Sequence, residues 1–210
     1  MSEETPHIAP TWSATGSLRP EYFDSLYAQN ADPWAFASSP YEAAKYAATL
    51  AALPQVRYTS ALELGCSIGV LTQQLAPRCA RLLACDIAEA ALSLARSRCA
   101  DLPQITFARR DLTTEFPAGR FDLILVSEVG YYLSQPDLDT LRSRIASALA
   151  PGGDVVLVHY TGATNYPLSA DVVHETFLAS EGAEWISVAA QRTESYRLDV
   201  FTRLDGQHPI

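Results

Sequence analysis

Residues 61–69 read Ala61-Leu62-Glu63-Leu64-Gly65-Cys66-Ser67-Ile68-Gly69. An apolar run stops at a glycine-bearing turn, and a helical pattern begins at about Val70. That is a strand–turn–helix unit. Outward from it the rhythm repeats. Strand-like runs occupy 60–64, 82–86, 105–109, 121–127 and 154–159, with helical stretches at 70–76, 89–100 and 136–149. Runs such as Leu123-Ile124-Leu125-Val126 are apolar throughout, as expected of strands buried on both faces. Strands alternating with helices predict an α/β fold with a doubly wound, mostly parallel sheet. After His159 the order changes to a helix at 170–181 and strands at 185–190 and 196–204, joined by 191–195. So short a connection cannot make a parallel crossover. The last two strands therefore form an antiparallel C-terminal hairpin, which brings the sheet to seven strands.

Upstream, Tyr22, Phe23, Leu26 and Tyr27 give a helix at 21–30 an apolar face, and Asp32-Pro33-Trp34 forms a turn that presents a tryptophan. Ser39-Pro40-Tyr41-Glu42 starts a second helix, with a serine cap, proline at the first helical position and an acid three residues after the cap. It runs to about Leu53 and stops at Pro54. The chain thus divides into a flexible polar tail at 1–19, an N-terminal helical cap at 20–54 and a main domain at 55–210. His7 and His208 fall in the tails and carry no expected role.

Composition narrows the partners. The 210 residues are 48% hydrophobic and 19% charged, with a net charge of −9. Of 15 basic residues, 14 are arginine, and Lys45 is the lone lysine. So acidic a chain argues against nucleic acid or an anionic membrane as a partner. Cys66, Cys79, Cys85 and Cys99 have no metal-ligand spacing, so no metal site is expected. No secretory leader and no long apolar span are legible, which leads to the expectation of a cytoplasmic protein with free thiols and a small-molecule acceptor. Its oligomeric state is left open.

The turn at 65–69 permits close approach of a ligand to the backbone, and the helix after it offers free N–H groups. Asp86 ends the second strand, 21 positions after Gly65, the spacing at which an acid binds ribose hydroxyls in doubly wound sheets. Asp111 follows the third strand. Glu63, Asp86 and Asp111 therefore lie near the carboxyl ends of successive strands, where such sheets bind ligands. The turn reads G-x-x-x-G and follows Glu63, which is wrong for a pyrophosphate cradle. A carboxylate there suits a ligand with an ammonium group and no phosphate, such as S-adenosylmethionine.

These segments, together with Phe121-Asp-Leu-Ile-Leu125 and Pro151-Gly-Gly-Asp154, resemble the ordered motifs of class I S-adenosylmethionine-dependent methyltransferases. Asp32-Pro-Trp34, Ser39-Pro-Tyr-Glu42 and Lys45 resemble the nodulation protein S family more narrowly, whose members N-methylate an amino sugar of a deacetylated chitooligosaccharide. The resemblance implies a Rossmann-like fold and S-adenosyl-L-methionine as cofactor. It places Gly65 and Gly69 at the methionine part, Glu63 and Ser127 near its amine, and Asp86 on the ribose. Ile87 covers the adenine, with Asp111 and the Leu112 amide on its edge. Trp34, Tyr41 and Lys45 close over the cofactor, Lys45 pairing with its carboxylate. Ser67 stands where the commonest class I loop has its middle glycine.

The expected reaction is displacement of a sulfonium methyl by an amine that has lost its proton. Glu128, after the fourth strand, and His159, at the end of the fifth, are the catalytic candidates for orienting the amine or taking its proton. Tyr131 and Tyr132 are expected to contact the acceptor, and Tyr166, Asp171 and His174 to form a lid over it. Asn165 stands where similar chains often carry an acid. The competing expectations are an O-methyltransferase on a small metabolite, an NAD-dependent oxidoreductase on the same strand order, and a non-catalytic cofactor-binding protein.

Overall fold

The computed structural model describes residues 10–13 and 15–204. His7 and His208 lie outside the described residues. The elements are α1 (Pro20–Gln29), α2 (Pro40–Ala51), β1 (Ala61–Leu64), α3 (Val70–Leu75), β2 (Leu82–Asp86), α4 (Glu89–Arg98), β3 (Ile105–Arg109) and β4 (Phe121–Ser127). They continue with α5 (Gln135–Ala148), β5 (Leu149–Tyr160), α6 (Ala170–Leu178), β6 (Trp185–Arg192) and β7 (Tyr196–Arg203). The seven strands form one sheet in the order β3-β2-β1-β4-β5-β7-β6. β1 to β5 pair in parallel, while β7 runs antiparallel to both β5 and β6.

Period-2 alternation decides which helices cover which face. On β4, Ile124 and Val126 join the core under α5 and α6, with Leu138, Leu141, Ile145, Val173 and Phe177. Leu123 and Leu125 join the opposite core, with Tyr46 of α2 and Leu71 and Leu75 of α3. Each side chain of that apolar run is thereby buried, which is why the run shows no polar alternation. The strand order reverses between β1 and β4, and the carboxyl ends flanking that reversal are where the helical cap lies.

Several boundaries differ from the sequence expectation, three of them for visible reasons or by the widest margin. β5 begins at Leu149 rather than 154, because Phe121 pairs with Leu149 and Leu123 next pairs with Asp154, looping out residues 150–153 inside one strand. α3 ends at Leu75, where the chain tightens into a 3-10 turn at Ala76–Arg78 that contains Pro77. α6 ends at Leu178, short of 181. The end of the expected tail is also docked. Leu18 is buried and its N–H donates to Tyr132 O. The Ser17 hydroxyl accepts from Ser134 N–H and donates to Asp137. Ser17 and Leu18 are thereby tied to the N-terminus of α5 and the turn before it. No helix among the described residues is long and apolar enough to cross a membrane.

Candidate active site

The loop after β1 is shaped by three residues with positive φ. Gly65 (φ +82°) passes so close to β4 that a Cβ there would lie 2.8 Å from Ser127 O. Ser67 adopts φ +48°, a geometry rare for a residue with a side chain, and two bonds hold it. Its N–H donates to Asp86 Oδ2 at 2.8 Å, and its hydroxyl lies 2.5 Å from that of Tyr27. The position that departs from the glycine pattern is thus made tolerable by Asp86 and by α1. Gly69 (φ +78°) caps α3, and a Cβ there would meet Ala95 Cβ at 2.9 Å. Gly69 therefore serves the packing of α3 on α4. It lines none of the spaces described below, which corrects the expectation that it contacts the ligand.

A cavity opens beyond the carboxyl ends of β1 to β4. Gly65, Ser67, Asp86, Ile87, Asp111 and Leu112 form its floor and sides, and Tyr27 and Trp34 help to cover it. Asp86 holds one backbone N–H on each oxygen, from Ser67 at 2.8 Å and Ala88 at 2.9 Å, which leaves acceptor capacity on both. Asp111 Oδ1 takes the Thr113 N–H and hydroxyl. The covering turn follows from its own sequence: Asp32 accepts the N–H groups of Phe36 and Ala37 at 2.8 Å each, an Asx arrangement that folds residues 32–37 and projects Trp34.

A recess of about 300 Å³ continues inward, lined by Glu63, Gly65, Ser67, Ser127 and Glu128. Glu63 is fully buried and its Oε2 has no hydrogen-bond partner. Burial pushes its carboxyl up to about 7. A buried acid with one unpartnered oxygen, its rise opposed only by the Thr72 hydroxyl, is a fitting receptor for a small cationic group.

On the other side a cleft of about 1360 Å³ is walled by Tyr22, Trp34, Phe36, Tyr41, Tyr131, Tyr132, Tyr160 and Tyr166, with Glu42, Lys45 and Glu128. Glu128 and Phe36 line all three spaces. Glu128 has φ +55°, and its carboxylate takes Lys45 on Oε1, and the Tyr131 hydroxyl and Tyr160 N–H on Oε2. Lys45 also bonds Glu42 Oε1 at 3.0 Å, while Glu42 Oε2 is buried without a partner. Tyr131 stacks on Tyr166 with ring centres 5.2 Å apart.

Several expected roles change. Lys45 is 1% exposed, is paired with two carboxylates and lines only the cleft, so its ammonium is not placed for a cofactor carboxylate. Tyr41 also lines only the cleft, and its hydroxyl donates to Ser195 O. His159 and His174 are both 0% exposed and touch no cavity, which removes them as acceptor contacts. Asp171 lies on the far side of α6 in an exposed cluster with Arg192 and Arg197, whose bonds hold its carboxyl down at about 2. Sequence reasoning missed Phe36, Tyr27 and Tyr160. For Tyr160 a signal existed. Successive residues of a strand face opposite sides, so His159 and Tyr160 could not both reach the cleft.

A family model described as Nodulation protein S (NodS) matches residues 25–162. Nodulation protein S of Rhizobium tropici is 36% identical over 129 residues, which are 60% of this chain and 53% of that protein. The same-named protein of Sinorhizobium fredii is 35% identical over 129 residues, 60% of this chain and 59% of its own. The chain thus spans only a little over half the length of these relatives. The crystal structure of the N-methyltransferase NodS from Bradyrhizobium japonicum WM9 in complex with S-adenosyl-L-homocysteine superposes with a TM-score of 0.78. It is 26% identical, and the match covers 89% of this chain and 99% of that one.

Proposed function

The chain belongs to the nodulation protein S family, and we propose that it binds S-adenosylmethionine and passes the methyl group to an amine of a small-molecule acceptor, an amino sugar being the favoured class. One observation carries the reading: a cavity at the carboxyl edge of the sheet, an inner recess with an unpartnered acid oxygen and an aromatic acceptor cleft meet at Glu128.

The cofactor, when bound, supplies a methyl group already activated on a sulfonium. Asp86 takes the ribose hydroxyls on the lone pairs that Ser67 and Ala88 leave free. Ile87 would cover the adenine, with Asp111 and the Leu112 amide at its edge. Glu63 and Ser127 receive the methionine amine in the recess, which gives Glu63 Oε2 its missing partner.

On the acceptor side, Tyr131, Tyr132 and Tyr166 provide flat surfaces for a sugar ring, and the Tyr131 hydroxyl is held by Glu128. Glu128 already accepts three donors, so its task is to supply a fixed negative charge rather than to take a proton. With the cofactor bound, methyl transfer would carry positive charge from its sulfonium to the acceptor nitrogen. A carboxylate set at the junction favours the state in which that charge has moved toward it. The amine must arrive neutral, which for an acceptor with a pKa near 8 costs about 1.4 kcal/mol at pH 7.

The experiment is thermal unfolding with S-adenosylhomocysteine, followed by labelled methyl transfer to glucosamine oligomers and simpler amines. At 100 times the dissociation constant the ligand adds about 2.7 kcal/mol, a rise of about 5–10 °C in Tm for a chain of this size. No shift at saturation overturns the cofactor reading. A shift without transfer to any amine overturns the acceptor reading.

A further inference from the structure

The two histidines that leave the acceptor site form, with their neighbours, a buried chain that the reaction above does not use. His159 Nε2 lies 3.1 Å from Gly130 N, and its Nδ1 lies 3.1 Å from His174 Nε2. His174 Nδ1 lies 2.7 Å from Asp199 Oδ2, and Arg197 Nε donates to the same oxygen at 2.9 Å. His159 comes from β5, His174 from α6, and Asp199 and Arg197 from β7.

The partners determine the tautomers. A backbone N–H can only donate, so His159 Nε2 must carry a lone pair and its proton sits on Nδ1. That proton is donated to His174 Nε2, which leaves the His174 proton on Nδ1, aimed at Asp199. Every donor then has an acceptor with both rings neutral, and Arg197 balances Asp199. Burial keeps both rings neutral by holding their pKa values below the usual histidine value. A second proton on His159 would set N–H against N–H at Gly130.

The chain ends on the segment that builds the junction. Gly130 opens the 3-10 turn Gly130–Tyr132, which directly follows Glu128. Glu128 sits at φ +55°, a geometry its surroundings must enforce. β5 supplies two anchors to this backbone, besides the Tyr160 N–H on the Glu128 carboxylate: Val158 O accepts from Glu128 N, and His159 accepts from Gly130 N. A Cβ on residue 130 would meet Val173 Cγ1 at 2.6 Å, so the turn is also seated directly against α6.

We propose that His159 and His174 are positioning residues, whose buried relay from Gly130 N–H to Asp199 holds Glu128, Tyr131 and Tyr132 in the geometry that methyl transfer requires. The role rests on the methyl-transfer reading above, and it acts through the turn without either histidine touching cofactor or acceptor.

His159→Phe keeps the bulk of the ring but removes the acceptor, whereas His159→Gln can offer an oxygen to Gly130. The Phe variant is expected to lose about 30–100-fold in kcat with the dissociation constant for S-adenosylhomocysteine unchanged, and the Gln variant to recover most of that loss. A Phe variant that loses thermal stability but keeps kcat within threefold, or a Gln variant as slow as Phe, overturns the proposal. Where the Phe variant does not fold, nitrogen NMR of labelled histidines in the unmodified protein decides. Two neutral rings, both protonated at Nδ1, support the relay, and a His159 ring protonated at Nε2 overturns it. If the unmodified protein methylates no amine, the functional reading has failed separately. Exchange of the Gly130 amide then decides the anchor: about tenfold faster in His159→Phe supports it, and no change overturns it.

Discussion

The two halves of the site are built by different means. Along β1 to β3, backbone and short-range contacts shape the cavity: Gly65 approaches Ser127 O, Ser67 N–H meets Asp86, and Asp111 closes on Thr113. Along β4 and β5, groups from three separated segments meet on one carboxylate or beside it: the Lys45 and Glu42 side chains from α2, Glu128 with the Tyr131 hydroxyl after β4, and the Tyr160 N–H from β5. The glycine-bearing turn and the strand ends beside it specify the first half, since a recognisable motif marks it even though Asp86, Tyr27 and Ser127 complete its geometry from elsewhere in the chain. The second half exists only once α2 has docked on the sheet. The cofactor half should therefore survive changes that disable the acceptor half.

Lys45→Met is the strongest break of that comparison. The lysine is the only cation between Glu42 and Glu128 among their ion pairs in the described residues, and it is 1% exposed. Removing it leaves two enclosed carboxylates facing each other, with an expected loss of about 3–5 kcal/mol. For this chain length that is a fall of about 10 °C in Tm, read by thermal unfolding. The dissociation constant for S-adenosylhomocysteine, read by calorimetry at a temperature where the variant is folded, should stay within about threefold. A tenfold loss of cofactor affinity at unchanged stability would assign Lys45 to the cofactor half.

Glu128→Gln comes next. Glutamine keeps the shape and an acceptor for Tyr160 N–H but removes the charge toward which positive charge moves. A loss of about 10²–10³ in kcat is expected, on the order of 3–4 kcal/mol of transition-state stabilisation. Affinity for S-adenosylhomocysteine should change little. Equal losses in both would show that the junction cannot be divided into halves.

The same division explains what was legible in the sequence. Strands β2, β3 and β4 begin and end where the apolar runs do, and the antiparallel hairpin follows from a connection too short for a crossover. Asp86 and Asp111 reach the cavity because strand ends in a parallel sheet place them there. Gly69 misleads because two demands, ligand approach and helix packing, call for the same residue, and only the 2.9 Å approach to Ala95 separates them. His159 was expected at the acceptor because it ends β5, and Asp171 and His174 because they follow it in a lid segment, but both histidines are fully buried and Asp171 pairs with Arg192 and Arg197 instead. Lys45 was placed at the cofactor carboxylate by the family resemblance. Its partner Glu128 is 83 residues away in sequence, and no local pattern carries that pairing.

Glu63 tests the cofactor half by itself, with the smallest effect. Its carboxyl is near 7 when folded and rises there through burial from a reference of 4.5. Between those values the native state holds a proton that the unfolded chain has released. Ligand-free stability therefore falls as pH rises from about 4.5 to 7 and is level above, and this one group contributes a loss of about 3 kcal/mol. A cationic group in the recess reverses the preference, since it favours the ionised acid. Cofactor affinity should then increase with pH up to about 7, with a proton released on binding below it. Glu63→Gln should remove this part of both slopes: the ligand-free protein becomes more stable at pH 8, while cofactor affinity becomes weaker and flat with pH. Thermal unfolding and calorimetry in buffers of different ionisation enthalpy read the two effects. A variant that gains stability but keeps its affinity would mean that the orphaned oxygen of Glu63 faces no cation, and the methionine end of the ligand would have to lie outside the recess.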